Sequence, residues 1–217
     1  MKTISACFFI LILVGSISAF ANFPTQATIG NFFSLSYAKE KIENGKYEVD
    51  SFFSLPEKEL TLLEAYNLGL EQGKEFDKET ILVFLNSVDD ETVSGQNGKK
   101  GDWQGVFALP SVKHQMIIGI QKGKLKSYII SDSSDELTIP QSEIKIDSSQ
   151  IIKIAVEKFN LQPSPTEDPF SHGYHFRLIR DEKHIFLGVD GKINGQSAEV
   201  FFNPKNGEYL GSTKEIK

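Results

Sequence analysis

Ser197-Ala198-Glu199-Val200-Phe201-Phe202-Asn203-Pro204-Lys205-Asn206-Gly207-Glu208-Tyr209-Leu210 reads as a strand, a turn at Asn206-Gly207 and a return strand. Asparagine followed by glycine supplies the left-handed backbone that a tight hairpin needs. Upstream of it, Gly173 to Asp181 and His184 to Asp190 have strand composition, with turns predicted at Asp181-Glu182-Lys183 and from Asp190-Gly191 to Asn194-Gly195. Leu161 to Ser171 carries Pro163, Pro165 and Pro169 and is read as a loop. Before the loop, Asp147 followed by Gln150 has the form of a capping box, and Ile152, Ala155, Val156 and Phe159 recur at helical spacing.

The same order of elements stands earlier in the chain. Thr61 and Glu64 form a second capping pair, Leu63, Tyr66 and Leu70 follow near one helical face, and Gly73 marks a stop. Gly69 is out of place there, since glycine costs about 1 kcal/mol relative to alanine inside a helix. Thr80 to Leu85, Trp103 to Leu109, His114 to Gln121 and Leu125 to Ile130 are predicted strands, the last two joined around Lys122-Gly123-Lys124. Asp89 to Asp102, with three glycines, has the composition of a loop. From each helix cap to its hairpin glycine, Thr61 to Gly123 and Asp147 to Gly207, the separation is roughly sixty residues, a period that points to internal duplication.

The amino terminus has the three parts of a secretory signal: Lys2, the apolar run from Ala6 to Val14, and Ala19-Phe20-Ala21. An uncleaved anchor is the competing reading, because roughly eighteen to twenty apolar residues span a bilayer; Ser5, Gly15, Ser16 and Ser18 dilute the run. The only cysteine, Cys7, lies within that segment, so no disulfide or cysteine metal site is expected after cleavage. A net charge of −6 without blocks of Lys and Arg argues against nucleic acid or an anionic membrane surface as partner. The division expected is a signal peptide (1–21), an N-terminal segment (22–56) with a short helix at Tyr37 to Glu43 and paired Phe32-Phe33 and Phe52-Phe53 anchors, a first unit (57–131), a linker (132–146) and a second unit (147–217).

The second unit resembles the PepSY family of secreted or membrane-attached bacterial modules, which also occur in propeptides of thermolysin-like metalloproteases. The likeness rests on the helix around Ile152 to Phe159, on Tyr174-His175-Phe176-Arg177-Leu178 and on Ala198 to Leu210. Asn203-Pro204-Lys205-Asn206-Gly207-Glu208 stands where the family typically has a D-x-x-T-G-E-like turn. The first unit resembles it more loosely, keeping only Gly123 in Gln121-Lys122-Gly123-Lys124. The resemblance implies an α+β fold of two tandem units, each one helix packed on a curved antiparallel sheet of three to four strands. It also implies a non-catalytic domain that binds or restrains peptidases.

The residues themselves bring few catalytic patterns together. His172 and His175 make a poor zinc chelate on a strand without a helix or a third ligand such as Asp168, because alternation sends the two imidazoles to opposite faces; exposed histidines beside a loop are expected instead. Asp89-Asp90-Glu91 and Asp132-Asp135-Glu136 lack the glycine that bends a calcium loop. No G-x-S-x-G is present, and Ser94-Gly95 lies in a polar loop. No cofactor, no metal and no catalytic residue are therefore assigned. The expected function is that of an exported or envelope-associated protein that binds a secreted peptidase or another extracellular protein. Trp103, Phe107, Tyr174, Phe176 and Tyr209 are the candidate binding surface; Trp103 also reads, and more commonly for its type, as a core or rim aromatic at the start of a strand, with Phe107 as its partner on the same face. The alternative is a small-molecule or envelope-polymer binding protein using the sheet face around Trp103 and Phe107.

Overall fold

The computed structural model describes residues 45–48, 58–89, 93–133, 136–165 and 172–214, all within one unit that runs from Phe33 to Lys217. The signal segment, the helix expected at Tyr37 to Glu43, the aromatic pairs Phe32-Phe33 and Phe52-Phe53, and Asp168 lie outside the described residues. Strand β1 (Gly45–Glu48) precedes helix α1 (Leu62–Lys74) and four strands, β2 (Ile81–Ser87), β3 (Trp103–Leu109), β4 (His114–Gln121) and β5 (Lys124–Asp132). Helix α2 (Ser148–Phe159) is likewise followed by β6 (His175–Arg180), β7 (Ile185–Ile193), β8 (Gln196–Phe202) and β9 (Tyr209–Lys214).

The strands form one antiparallel sheet of nine in the order β1-β5-β4-β3-β2-β6-β7-β8-β9. Two meanders run outward in opposite directions from the pair of their first strands, where Leu85 faces Leu178 and Asn86 faces Arg177. Each meander alone would leave that first strand as an open row of N–H and C=O groups, and pairing them removes two edges at once. The sheet is thus one continuous layer, not a separate sheet in each half.

Both helices cover the same face. Tyr66 of α1 stacks on Phe107 at 6.2 Å and Phe159 of α2 meets Phe202 edge-on at 6.2 Å. Phe202, Leu187, Leu178 and Leu85 are successive cross-strand neighbours, and all are buried. Gly69 has its reason here, since a Cβ at that position would lie 2.4 Å from the Phe107 ring and 2.7 Å from Ile118. The helix tolerates a poor helix former because its backbone lies directly on an aromatic ring.

The predicted helices and strands stand within a few residues of their expected positions. One turn does not: Asp190-Gly191 lies inside β7, and the chain reverses at Asn194 (φ 54°) and Gly195 (φ 77°) alone. Gly191 is needed for close approach, because a Cβ there would sit 2.5 Å from the Gln162 carbonyl oxygen. Strand β1 was not anticipated in the N-terminal segment; its partner β5 is about eighty residues away in sequence.

The two helix N-termini converge on Asp147 and Ser148. Thr61 and Asp147 each complete a capping box with Glu64 and Gln150. Asp147 Oδ1 also accepts from Leu63 N (3.0 Å) as well as from Ser148 N (2.8 Å). The buried Ser148 hydroxyl accepts from Leu62 N (2.9 Å) and donates to the Gly98 carbonyl (2.6 Å). Free donors of α1 are therefore satisfied by side chains of α2.

Ser148→Ala strands the Leu62 N–H and the Gly98 carbonyl in the interior and is expected to lower the unfolding free energy by about 2 kcal/mol in urea denaturation. Gly69→Ala, which helix propensity alone would favour by about 1 kcal/mol, is expected to destabilise by roughly 1–3 kcal/mol through overpacking against Phe107. A gain in the urea midpoint would contradict that packing account.

Candidate functional site

Of the five aromatic residues singled out in the sequence, four belong to the core. Trp103 is 1% exposed and Phe107 0%, and Tyr174 and Phe176 are buried with them. The cause is strand alternation: Trp103 and Phe107 fall on the helix-covered face of β3, where Trp103 stacks on Phe176 at 6.5 Å and Phe107 on Tyr66. Trp103 thus pairs across the two halves and not with Phe107. Its indole N–H donates to the Lys100 carbonyl (3.0 Å), and the Tyr174 hydroxyl donates to the Leu161 carbonyl (3.1 Å). Their polar ends are used internally.

Tyr209 is different. It is 44% exposed, with Leu210 beside it at 37%, and its ring stacks on Phe159 at 4.4 Å. Both residues open β9, the strand that ends the sheet and pairs only with β8 among the described strands. A bulge between Phe201 and Phe202 shifts the register there and places Leu210 opposite no partner residue. The corresponding last strand of the first meander, β5, is closed by β1, with Lys46 facing Ile129 and Tyr47 facing Tyr128. β1 and β9 are therefore the two terminal strands of the sheet, each paired on one side only among the described strands, and β9 presents its outer backbone groups at its end.

The long segment around Ser94 is not a free loop. Lys100 is wholly buried, its ammonium donates to the Val93 carbonyl (2.6 Å) and its backbone pairs with Leu60 in both directions (2.9 Å). Ser94 accepts from Tyr174 N (2.7 Å) through its carbonyl. Gly98 lies so close to α2 that a Cβ would stand 2.4 Å from Ser149 N. Nothing in a polar, glycine-containing stretch signals such burial, because the contacts with Leu60, Tyr174 and Ser149 are with distant elements.

On the sheet face away from the helices, β6, β7 and β8 bring four ionisable residues together. His175 faces Asp190, which faces Glu199, and Arg177 faces Gly188. The Arg177 guanidinium grips the buried Glu199 carboxylate through two nitrogens, and lies 5.8 Å from the Phe201 ring centre. A side chain at Gly188 would collide with the Glu199 carboxylate, so the missing side chain makes room for the pair. Burial pushes Asp190 up to about 6, against the opposing pull of Arg177.

His175 is buried, contrary to the exposed position expected, and its Nδ1 lies 3.2 Å from the Ser87 hydroxyl, which accepts from Phe176 N at 2.9 Å. Ser87 and His175 come from different halves of the chain, so their contact had no signal in sequence spacing. His172 lies before β6 at the edge of this region, its N–H bonded to Asp89 (3.3 Å). Asp132 and Glu136 are exposed. Among the described residues no three His, Asp or Glu side chains converge as metal ligands do.

No family model matches the chain, and no curated protein does. One solved structure is similar: a crystal structure described as that of a lipoprotein from Clostridium difficile 630, at 14% identity and a TM-score of 0.48, covering 75% of this chain and 97% of that one. Among the described residues no helix is long and apolar enough to cross a membrane.

The raised Asp190 makes a pH prediction with a definite sign. The folded state binds a proton near pH 6, whereas the unfolded carboxyl binds it near 3.8. Between these values the folded state holds more protons, so stability falls as pH rises through the window. Asp190→Asn is expected to flatten this slope and to raise stability at pH 7.5 by on the order of 2 kcal/mol, read from urea midpoints between pH 4 and 8. An unchanged slope would show that another group sets it.

Proposed function

We propose that this protein is an exported, non-catalytic binding module that takes an extended segment of a secreted protein, a peptidase in the first instance, onto the open edge of β9. The observation that carries the reading is the β9 edge: β9 pairs only with β8 among the described strands, is exposed at five of its six residues, and begins with Tyr209 and Leu210 on the surface. An open edge binds an added strand through main-chain hydrogen bonds, with apolar side chains at its end supplying contact area.

The repeated order of one helix and four antiparallel strands, with a capping box opening each helix, supports treating the chain as two PepSY-like units fused through β2 and β6. The likeness of the hairpin from Ala198 to Leu210 to that family supports peptidase binding as the role, and the signal-like amino terminus supports secretion or attachment to the cell envelope. The alternative use of Trp103 and Phe107 as an open platform for a small molecule or wall polymer loses its motivation, because both side chains are enclosed.

Immobilised protein challenged with culture supernatant is expected to retain a secreted protein and to lower supernatant peptidase activity when added in excess. Leu210→Arg, at an exposed position, is expected to weaken retention by about tenfold, or ~1.4 kcal/mol, with the thermal transition unchanged. Equal retention by Leu210→Arg would move the site away from β9.

A further inference from the structure

At the start of β9 the sheet ends in a concavity of about 310 Å³ lined by Arg180, Lys183, His184, Ile185, Pro204 and Leu210, among others. Ile185, Pro204 and Leu210 are its apolar members, and Leu210 belongs both to it and to the β9 edge. Glu143, also in the lining, is neutralised by Lys205 at 2.8 Å. Arg180 donates to the Thr138 carbonyl (2.6 Å) and, among the described residues, forms no ion pair with a carboxylate. Asp181 lies beside the concavity, held below the usual carboxylate range: burial opposes this, but the Lys183 and His184 backbone N–H groups and the nearby charges of those two residues outweigh it. Its oxygen Oδ1 accepts both N–H groups at 2.7 Å. On a chain of net charge −6, this end of the sheet lines a concavity with the cationic side chains of Arg180 and Lys183 beside the apolar Ile185, Pro204 and Leu210.

Strand direction decides what reaches that space. Every pairing in the sheet is antiparallel. A strand that continues the pattern beside β9 runs opposite to it, so its C-terminal end lies beside Tyr209 and Leu210, next to Arg180 and Lys183. We infer that the β9 edge selects extended segments whose C-terminal end carries a carboxylate, bound in the concavity by Arg180 and Lys183 with apolar contact to Leu210. The inference rests on the edge-binding reading above and adds to it the charge and direction of the partner segment. Arg180 presents a planar fork suited to a carboxylate, and Lys183 adds a second cation.

The test uses the purified full chain, labelled with ¹⁵N, and short synthetic peptides of alternating threonine and valine. One ends in aspartate with an amidated terminus, one in valine with a free α-carboxylate, and one in lysine with an amidated terminus. The two carboxylate peptides are expected to shift the amides of Leu210 to Thr213 together with those of Lys183 and His184, and to bind at least about tenfold tighter than the lysine peptide. The difference between the aspartate and free-acid arms tells whether a side chain or a chain terminus is preferred. Arg180→Ser combined with Lys183→Ser, both at the surface, is expected to abolish the preference while β9 shifts persist. Equal binding of acidic and basic peptides at β9 overturns the selection and leaves edge binding intact. Shifts around Lys183 without any in β9, or no shift with any peptide, overturn the edge reading itself.

Discussion

Two helix N-termini meeting at one carboxylate and one hydroxyl is the constraint on which the rest of this structure depends. Each N-terminus carries roughly half a positive charge and several donors without intrahelical partners, so bringing two of them together is unfavourable unless acceptors stand between them. Asp147 and Ser148 supply those acceptors, capping α2 while receiving Leu62 N and Leu63 N from α1. The bond from Ser148 to Gly98 ties the long segment between β2 and β3 to the same point. A local capping motif, common at the start of any helix, becomes a tertiary joint.

The sheet follows from that joint. With the helices held at their N-termini, the two meanders lie over the same layer and their first strands pair, so that Trp103 from one half stacks on Phe176 from the other. Lys100 is enclosed, its ammonium donating to the backbone carbonyls of Val93 and, at 3.4 Å, His172. Stability is concentrated where the halves meet, and the periphery is free to differ: β1 is the terminal strand at one end, while β9 at the other carries a bulge and two exposed apolar side chains. An open edge invites pairing with other chains, and a bulge such as the one beside Phe202 is one way the backbone there departs from a flat template.

The face without helices is organised by charge. Arg177 offsets the buried Glu199 and partly offsets Asp190, which retains a proton at a pH where most aspartates have lost it. Burying ions in this way stabilises less than an apolar substitute would, but breaking the pair leaves a charge uncompensated. Phe201 beside the guanidinium and the empty space at Gly188 show how closely the neighbouring positions are matched to the pair.

Sequence alone determined the local elements, because their causes are local: Thr61 with Glu64 and Asp147 with Gln150 announce the helices through capping chemistry, and Lys122-Gly123 and Asn206-Gly207 announce hairpins through the backbone angles they permit. Periodicity also sorted apolar from polar positions, yet it could not say which apolar face would be covered, and so Trp103, Phe107, Tyr174 and Phe176 stayed candidates for a surface although a core or rim place is the commoner one for a residue such as Trp103. Only the tertiary structure decided that β2 pairs with β6, that Ser148 serves the other helix, that Lys100 is enclosed and that β9 is a terminal strand among the described strands. Those contacts join residues far apart in the chain, and a hydrogen bond between distant segments leaves no mark on the spacing of either.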